Sequence, residues 1–226
     1  DFCVATGALV NRDKSELFLS PHYSEPLTVS FPVRRNNIKL LGVTFQADGG
    51  GRTSWEGALR HCLTNKQKDI AWMTAHGCLP TRVFMYRRHL ALTERCPHGC
   101  TDSEHNYHLF WECTVARRVW GLVVSSVSHN RLLPMSSLTA ESVLYGPRGG
   151  LKTMELQRQW GIINTVRQVL WETRNIKVYQ KTSVDLVTLR RRIQNLLQDG
   201  VLVDFRKNKD LAREKWGVDH WKELII

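Results

Sequence analysis

Three cysteines and one histidine, Cys96, Cys100, His108 and Cys113, stand within eighteen residues in the order C-x3-C-x7-H-x4-C. Thiolate and imidazole suit zinc, and four such donors complete a tetrahedral shell that leaves no open position for a reacting molecule. The chemistry they point to is therefore one structural zinc ion. Pro97 and Gly99, between the first two cysteines, favour a tight turn that aims both thiols at one point. His105 is a rival third ligand, and His98 a sterically tighter one. The competing reading is that the cysteines pack as small apolar side chains while the histidines face solvent. The other cysteines fall at positions 3, 62 and 78; nothing indicates secretion, so the local cluster favours metal over a disulfide framework.

Arg82, Arg87, Arg88, Arg95, Arg117 and Arg118 bracket this cluster. A folded zinc unit would hold them in fixed geometry, and the guanidinium fork matches phosphate. Tyr86, His89 and Tyr107 add rings on which bases can stack. The competing reading is ordinary solvated helix charge. The chain as a whole carries 32 Lys and Arg against 21 Asp and Glu, a net charge of +11 over 226 residues. That excess predicts an anionic partner. It is uneven: residues 1–59 are neutral, residues 60–120 carry +4 and residues 121–226 carry +7. With 42% apolar residues the chain is not a disordered polycation. No apolar run approaches the roughly 20 residues that span a bilayer, so no membrane role is expected. It opens Asp1-Phe2-Cys3, without Met or a signal segment, and is read as a piece of a longer polypeptide.

The elements that must position these residues are mainly helical. Leu17-Phe18-Leu19 and Ile38 to Phe45 read as strands, broken by Asp48-Gly49-Gly50-Gly51. From Thr53 the pattern turns helical, with Gly77 as a C-terminal cap. Pro80-Thr81 restarts a helix through Leu92, and His108 to about Val127 reads as another. A short helix is expected within Leu138 to Tyr145. Met154 to Tyr179 keeps the i, i+3, i+4, i+7 rhythm of a long helix. Val184 to Gln198 follows, with Gly200 just past its end, and Lys207 to Trp216 closes the series. Arg190, Arg191 and Arg192 spread over about 200° of helix surface and cannot all face one ligand. The expected fold class is mostly α: a helical bundle with a small CCHC zinc module and a short α+β unit at the N-terminus. The expected division is 1–50, 51–93, 94–127 and 128–226.

The run from Gly77 to Trp120 resembles the zinc-binding segment that follows the reverse transcriptase in non-LTR, LINE-type retrotransposon polyproteins. The resemblance rests on Leu79, Pro80, Thr81, Arg88, Cys96, Cys100, His108, Leu109, Phe110, Cys113, Ala116 and Trp120. Thr6-Gly7, Asn11, Lys14 and Ser15, together with Leu41-Gly42, are similar to the last motifs of a reverse transcriptase palm. Leu170-Trp171 and Arg174-Asn175 are similar to the helix beyond the zinc segment in vertebrate elements, and the Tx1-like branch is the nearest likeness. One departure stands out. Three residues separate Cys96 and Cys100 where the family commonly has two, and Gly99 precedes Cys100 rather than following it.

The resemblance implies that residues 1–50 are a palm remnant, 51–93 a thumb-like segment and 128–226 a basic helical tail. It also implies RNA or DNA as partner, reverse transcriptase and endonuclease domains upstream in the same polyprotein, and a nuclear location. No strand-flanked aspartate pair is present to hold two metal ions for nucleotidyl transfer. The chain is accordingly expected to bind nucleic acid through zinc-organised structure and not to polymerise. Lys14 resembles a palm lysine thought to protonate pyrophosphate, although a surface turn is its simpler role. A helical protein-interaction module that zinc merely staples is the alternative. A hydrolase using Cys and His is disfavoured, because no nucleophile, base and orienting group form a set.

Overall fold

The computed structural model describes residues 63–129, 138–146 and 153–220, and the strand segments within 17–46. Residues 1–52 and 53–226 form two separate units. In the first, β1 (Leu17–Phe18) pairs in parallel with β2 (Val33–Arg34). β3 (Asn37–Leu40) runs antiparallel to β4 (Val43–Gln46), with Leu40 opposite Val43 and Asn37 opposite Gln46. The single strand expected from Ile38 to Phe45 is therefore a hairpin. Thr6, Gly7, Asn11, Lys14, Ser15, Leu41 and Gly42, which carry the palm resemblance, lie outside the described residues, as do Cys3 and Cys62.

The second unit is helical. α1 (Asn65–Ala75) opens on a capping box in which Gln67 N–H donates to Thr64 Oγ1 at 3.3 Å and Thr64 N–H to Gln67 Oε1 at 3.0 Å. It closes at Gly77, whose φ of 61° lets the Gly77 and Cys78 N–H groups turn back onto Thr74 and Met73 carbonyls. α2 (Arg82–Tyr86) begins on the Thr81 cap but stops six residues short of the expected Leu92. Leu90 and Leu92 are 63% and 99% exposed, so a longer helix would bury no apolar face, and His89 turns the chain away at φ 58°. The helix expected from His108 is two pieces: a π-helical turn over His108–Glu112 and α3 (Thr114–His129), separated by Cys113 at φ −50°, ψ 137°.

α4 (Ala140–Tyr145) is capped by Thr139, and α5 (Met154–Asn175) by Thr153. A π-helical turn over Ile176–Gln180 ends α5. α6 (Leu186–Lys207) and α7 (Lys209–Trp216) are capped by Asp185 and Asn208. Every residue from Gln159 to Arg174 except Gly161 is buried, which makes α5 the axis of the bundle, in contact with α1, α3, α6 and α7. Even Arg167 is inside: its guanidinium faces the Phe110 and Trp160 rings at 5.0 and 5.6 Å and donates to Asn164 Oδ1 at 3.1 Å. Burial pulls its pKa down to about 9. Gly200, expected as a stop, lies within α6. Beyond it Val201 and Phe205 continue the buried Leu189, Ile193, Leu197 stripe at i+4. Burying each such side chain contributes about 1.5–3 kcal/mol, against about 1 kcal/mol for a helical glycine. Among the described residues no helix is long and apolar enough to cross a membrane.

Candidate metal centre

Cys96 and Cys100 sit at the two ends of a short loop. An antiparallel bridge between Arg95 and Ser103 and a 3.0 Å bond from Cys96 N–H to the Asp102 carbonyl close its base. Within it Gly99 adopts φ 86° and donates to the Cys96 carbonyl at 3.1 Å. The extra residue in the C-x3-C spacing is thus absorbed by a turn whose left-handed position is a glycine. His108 and Cys113 come from the π-helical turn, where Cys113 N–H donates to the His108 carbonyl at 2.7 Å. In a regular α-helix two residues five apart point about 140° away from each other. Closing the ring at i to i+5 instead brings both side chains to one side, and the break at Cys113 lets α3 start behind it.

The four donor atoms lie within 4.8 Å of one another. Cys113 Sγ is 3.8 Å from both Cys96 Sγ and Cys100 Sγ. Two thiolates on a tetrahedral zinc, each at about 2.3 Å, stand about 3.8 Å apart, whereas a disulfide needs about 2.05 Å. His108 is 1% exposed, and neither of its ring nitrogens has a hydrogen-bond partner among the described residues. An imidazole so orphaned costs free energy unless a ligand meets it. His105 is exposed, and its Nδ1 accepts the His108 N–H at 3.0 Å, which commits it as a cap for the turn. His98 is half-buried and outside the cluster. The third donor is therefore His108.

The charge state of the thiols fits the same ion. A hydrogen bond at 3.8 Å joins the Cys96 and Cys113 sulfurs; with the N–H groups of Val115 and Ala116 at the start of α3 it draws the Cys113 pKa down, while the same bond and burial push the Cys96 thiol up. One proton shared by two sulfurs is what a metal ion displaces on binding. Asp102 and Glu112 each place a carboxylate oxygen 4.0 Å from His108 Nδ1, beyond hydrogen-bond reach, so negative charge flanks the imidazole without bonding it.

A second set of residues holds the loop in place. Glu104 is fully buried between the metal loop and α5, where Arg174 clasps it with Nε–Oε1 at 3.0 Å and Nη2–Oε2 at 2.8 Å. Its Oε2 also accepts Arg82 N–H at 2.7 Å, at the first turn of α2. Arg174 in turn faces the Trp171 ring at 4.9 Å. Sequence reasoning missed this role. Arg174 left a signal, a charge three residues beyond Trp171 on an apolar stripe, but Glu104 reads as one more polar loop residue.

Of the six arginines expected at an anion surface, Arg87, Arg88, Arg95, Arg117 and Arg118 are exposed and Arg82 is half-buried. None makes an ion pair among the described residues. Arg88 is held in place by stacking 3.5 Å over Phe84 and by donating to the Phe84 carbonyl at 3.3 Å. Arg117 lies one turn beyond Cys113, whose carbonyl accepts its N–H at 2.9 Å. Tyr86 and Tyr107 are 47% and 39% exposed. Some basic residues of the C-terminal half face carboxylates or the core. Arg174 pairs with Glu104, Arg192 with Glu172, Lys215 with Asp204 and Arg213 with Asp210, and Arg167 is buried.

Residues 47–120 match the protein family described as zinc-binding in reverse transcriptase. That segment contains all four donors and all six arginines, and the match supports a reverse-transcriptase-related zinc-binding domain there. Neither a curated protein nor a solved structure matches the chain. Arg174, which anchors the metal loop, lies outside the matched segment.

Proposed function

We propose that this chain holds RNA or DNA for a LINE-type reverse transcriptase, using a basic face that a structural zinc site keeps rigid. The observation that carries this reading is the set of exposed arginines, Arg87, Arg88, Arg95, Arg117 and Arg118, fixed on the metal loop and its flanking helices without carboxylate partners among the described residues. Guanidinium groups carried on a fixed backbone bind phosphate without the entropy loss of ordering a flexible loop, and they do so with little regard to base identity. Cys96, Cys100, His108 and Cys113 would hold the zinc ion, which when bound cross-links the loop to the start of α3. Glu104 and Arg174 transmit that rigidity to α5. In this reading nucleotidyl transfer belongs to upstream polymerase and endonuclease domains of the same polyprotein, acting in the nucleus, and this chain positions template or target.

The test is a titration of the zinc-loaded chain with labelled RNA and DNA at several salt concentrations. Binding whose log K falls steeply and linearly with log salt, and that weakens on Arg87→Ala/Arg88→Ala for all sequences alike, supports phosphate contact. Zinc-loaded protein that retards neither RNA nor DNA at low salt points instead to a protein-interaction module.

A further inference from the structure

Beside the metal loop the surface opens into a groove of about 390 Å³, whose walls include Tyr86, Leu92, Glu94, Arg95, Thr101 and Ser103. Its size falls in the range of about 300–1,000 Å³ that small organic groups occupy. Arg95, Thr101 and Ser103 among its walls flank the loop that carries Cys96 and Cys100. The Arg95–Ser103 bridge joins two of these walls, and the bonds from Cys96 N–H to the Asp102 carbonyl and from Glu104 N–H to the Glu94 carbonyl, at 3.0 and 2.8 Å, lock the same two segments together.

Three features of the walls are not used up by the fold. Leu92 is 99% exposed and Tyr86 47% exposed, so an apolar side chain and a ring stand at the groove without covering any core. Arg95 has no carboxylate partner among the described residues. Glu94 accepts Ser103 Oγ through Oε1 at 2.9 Å, while its Oε2 has no hydrogen-bond partner among them. An aromatic face, an arginine and a carboxylate acceptor side by side make a poor phosphate pocket, because the carboxylate repels an anion. They do match an unpaired base, which offers a face for stacking and N–H groups on its pairing edge.

Building on the nucleic-acid reading above, we infer that the groove takes one unpaired base of a single strand, with Tyr86 stacking on its face, Glu94 accepting from its amino edge and Arg95 reaching the adjoining phosphate. A duplex cannot enter in this way, because its base faces and pairing edges are already engaged. Arg87, Arg88, Arg117 and Arg118 then track the backbone on either side.

Fluorescence anisotropy on the full zinc-loaded chain tests this, with a labelled 15-nucleotide strand, as RNA and as DNA, against the same sequence as a duplex. Single strands should bind about tenfold more tightly. Tyr86→Ala should weaken single-strand binding by about tenfold, at the low end of base–aromatic stacking, and leave the duplex unchanged, while Tyr86→Phe retains wild-type affinity. Oligo-C should outbind oligo-U, since cytosine presents an amino donor where uracil presents a carbonyl, and Glu94→Gln should level the two. Both side chains are exposed, and unchanged zinc content and melting temperature would show that the variants fold. Equal binding of duplex and single strand, a Tyr86→Ala effect that is absent or common to both, or equal binding of the two homopolymers overturns the inference. If Arg87→Ala/Arg88→Ala still weakens both forms, phosphate contact survives that outcome; if no form binds at all, the nucleic-acid reading fails with it.

Discussion

Glu104 and Arg174 form a buried bidentate ion pair across 70 residues of sequence, joining the loop that carries Cys96 and Cys100 to the central helix α5. Because Glu104 also accepts the first N–H of α2, one carboxylate ties together three pieces of the zinc module's surroundings.

Removing either partner of this pair should be severe. Glu104→Gln or Arg174→Met leaves the other group buried and poorly matched, which typically costs about 3–5 kcal/mol. In a unit of this size that corresponds to a melting temperature lower by about 10 °C. The double variant should be less damaging than the sum of the two by about 1–3 kcal/mol. Thermal unfolding of the four proteins measures this coupling, and strict additivity would remove the pair from the account.

Metal analysis should return one zinc per chain for wild type and for His105→Ala, whereas His108→Ala and Cys113→Ser should lose it. Chelation should release the ion with loss of fixed tertiary signal around the loop, since binding and folding are coupled in so short a segment. Occupancy should fall as pH is lowered, because protons return to the thiolates and the imidazole. Retention of stoichiometric zinc by His108→Ala would reassign the third ligand.

Asp185 caps α6 with its carboxylate, which accepts Thr188 Oγ1–H at 2.7 Å and Thr188 N–H at 2.9 Å. Those bonds, the side-chain one foremost, hold its pKa below the usual value. A depressed carboxyl contributes stability that is complete above its unfolded pKa and is lost as pH falls through the folded one. The α6 cap should therefore weaken only in strongly acidic solution. An NMR titration of the Asp185 carboxyl should find it below an ordinary aspartate, and Asp185→Asn should abolish this acid-dependent component while keeping the cap.

Gly200 occupies a helical position in α6 where an added Cβ meets nothing within 4 Å. Gly200→Ala should stabilise the chain by about 1 kcal/mol, raising the melting temperature by about 2–4 °C. Destabilisation on this change would show that the helix does not run through this point in solution.

Several parts of this molecule could be read from one-dimensional pattern. The long helix α5, the cap at Gly77, the short helix before Tyr145 and the metal donors are local signals: an apolar rhythm, a left-handed glycine, four soft ligands at close spacing. Where reading failed, the deciding interaction was not local. α2 ends at Tyr86 because nothing packs over Leu90 and Leu92, and α6 runs past Gly200 because Val201 and Phe205 find a core beyond it.

The identity of the donors, the zinc chemistry they imply and the position of the arginines beside them were present in the order of residues alone, since each depends on residue type and spacing along a short stretch. The pairing of Glu104 with Arg174 was not, nor was the bond that commits His105 Nδ1 to the His108 N–H, nor which of the described basic residues face a carboxylate. Those depend on what each charged or ligating group faces once the chain is packed. Burial and partnership arise only between segments brought together from far apart, so they are properties of the tertiary structure.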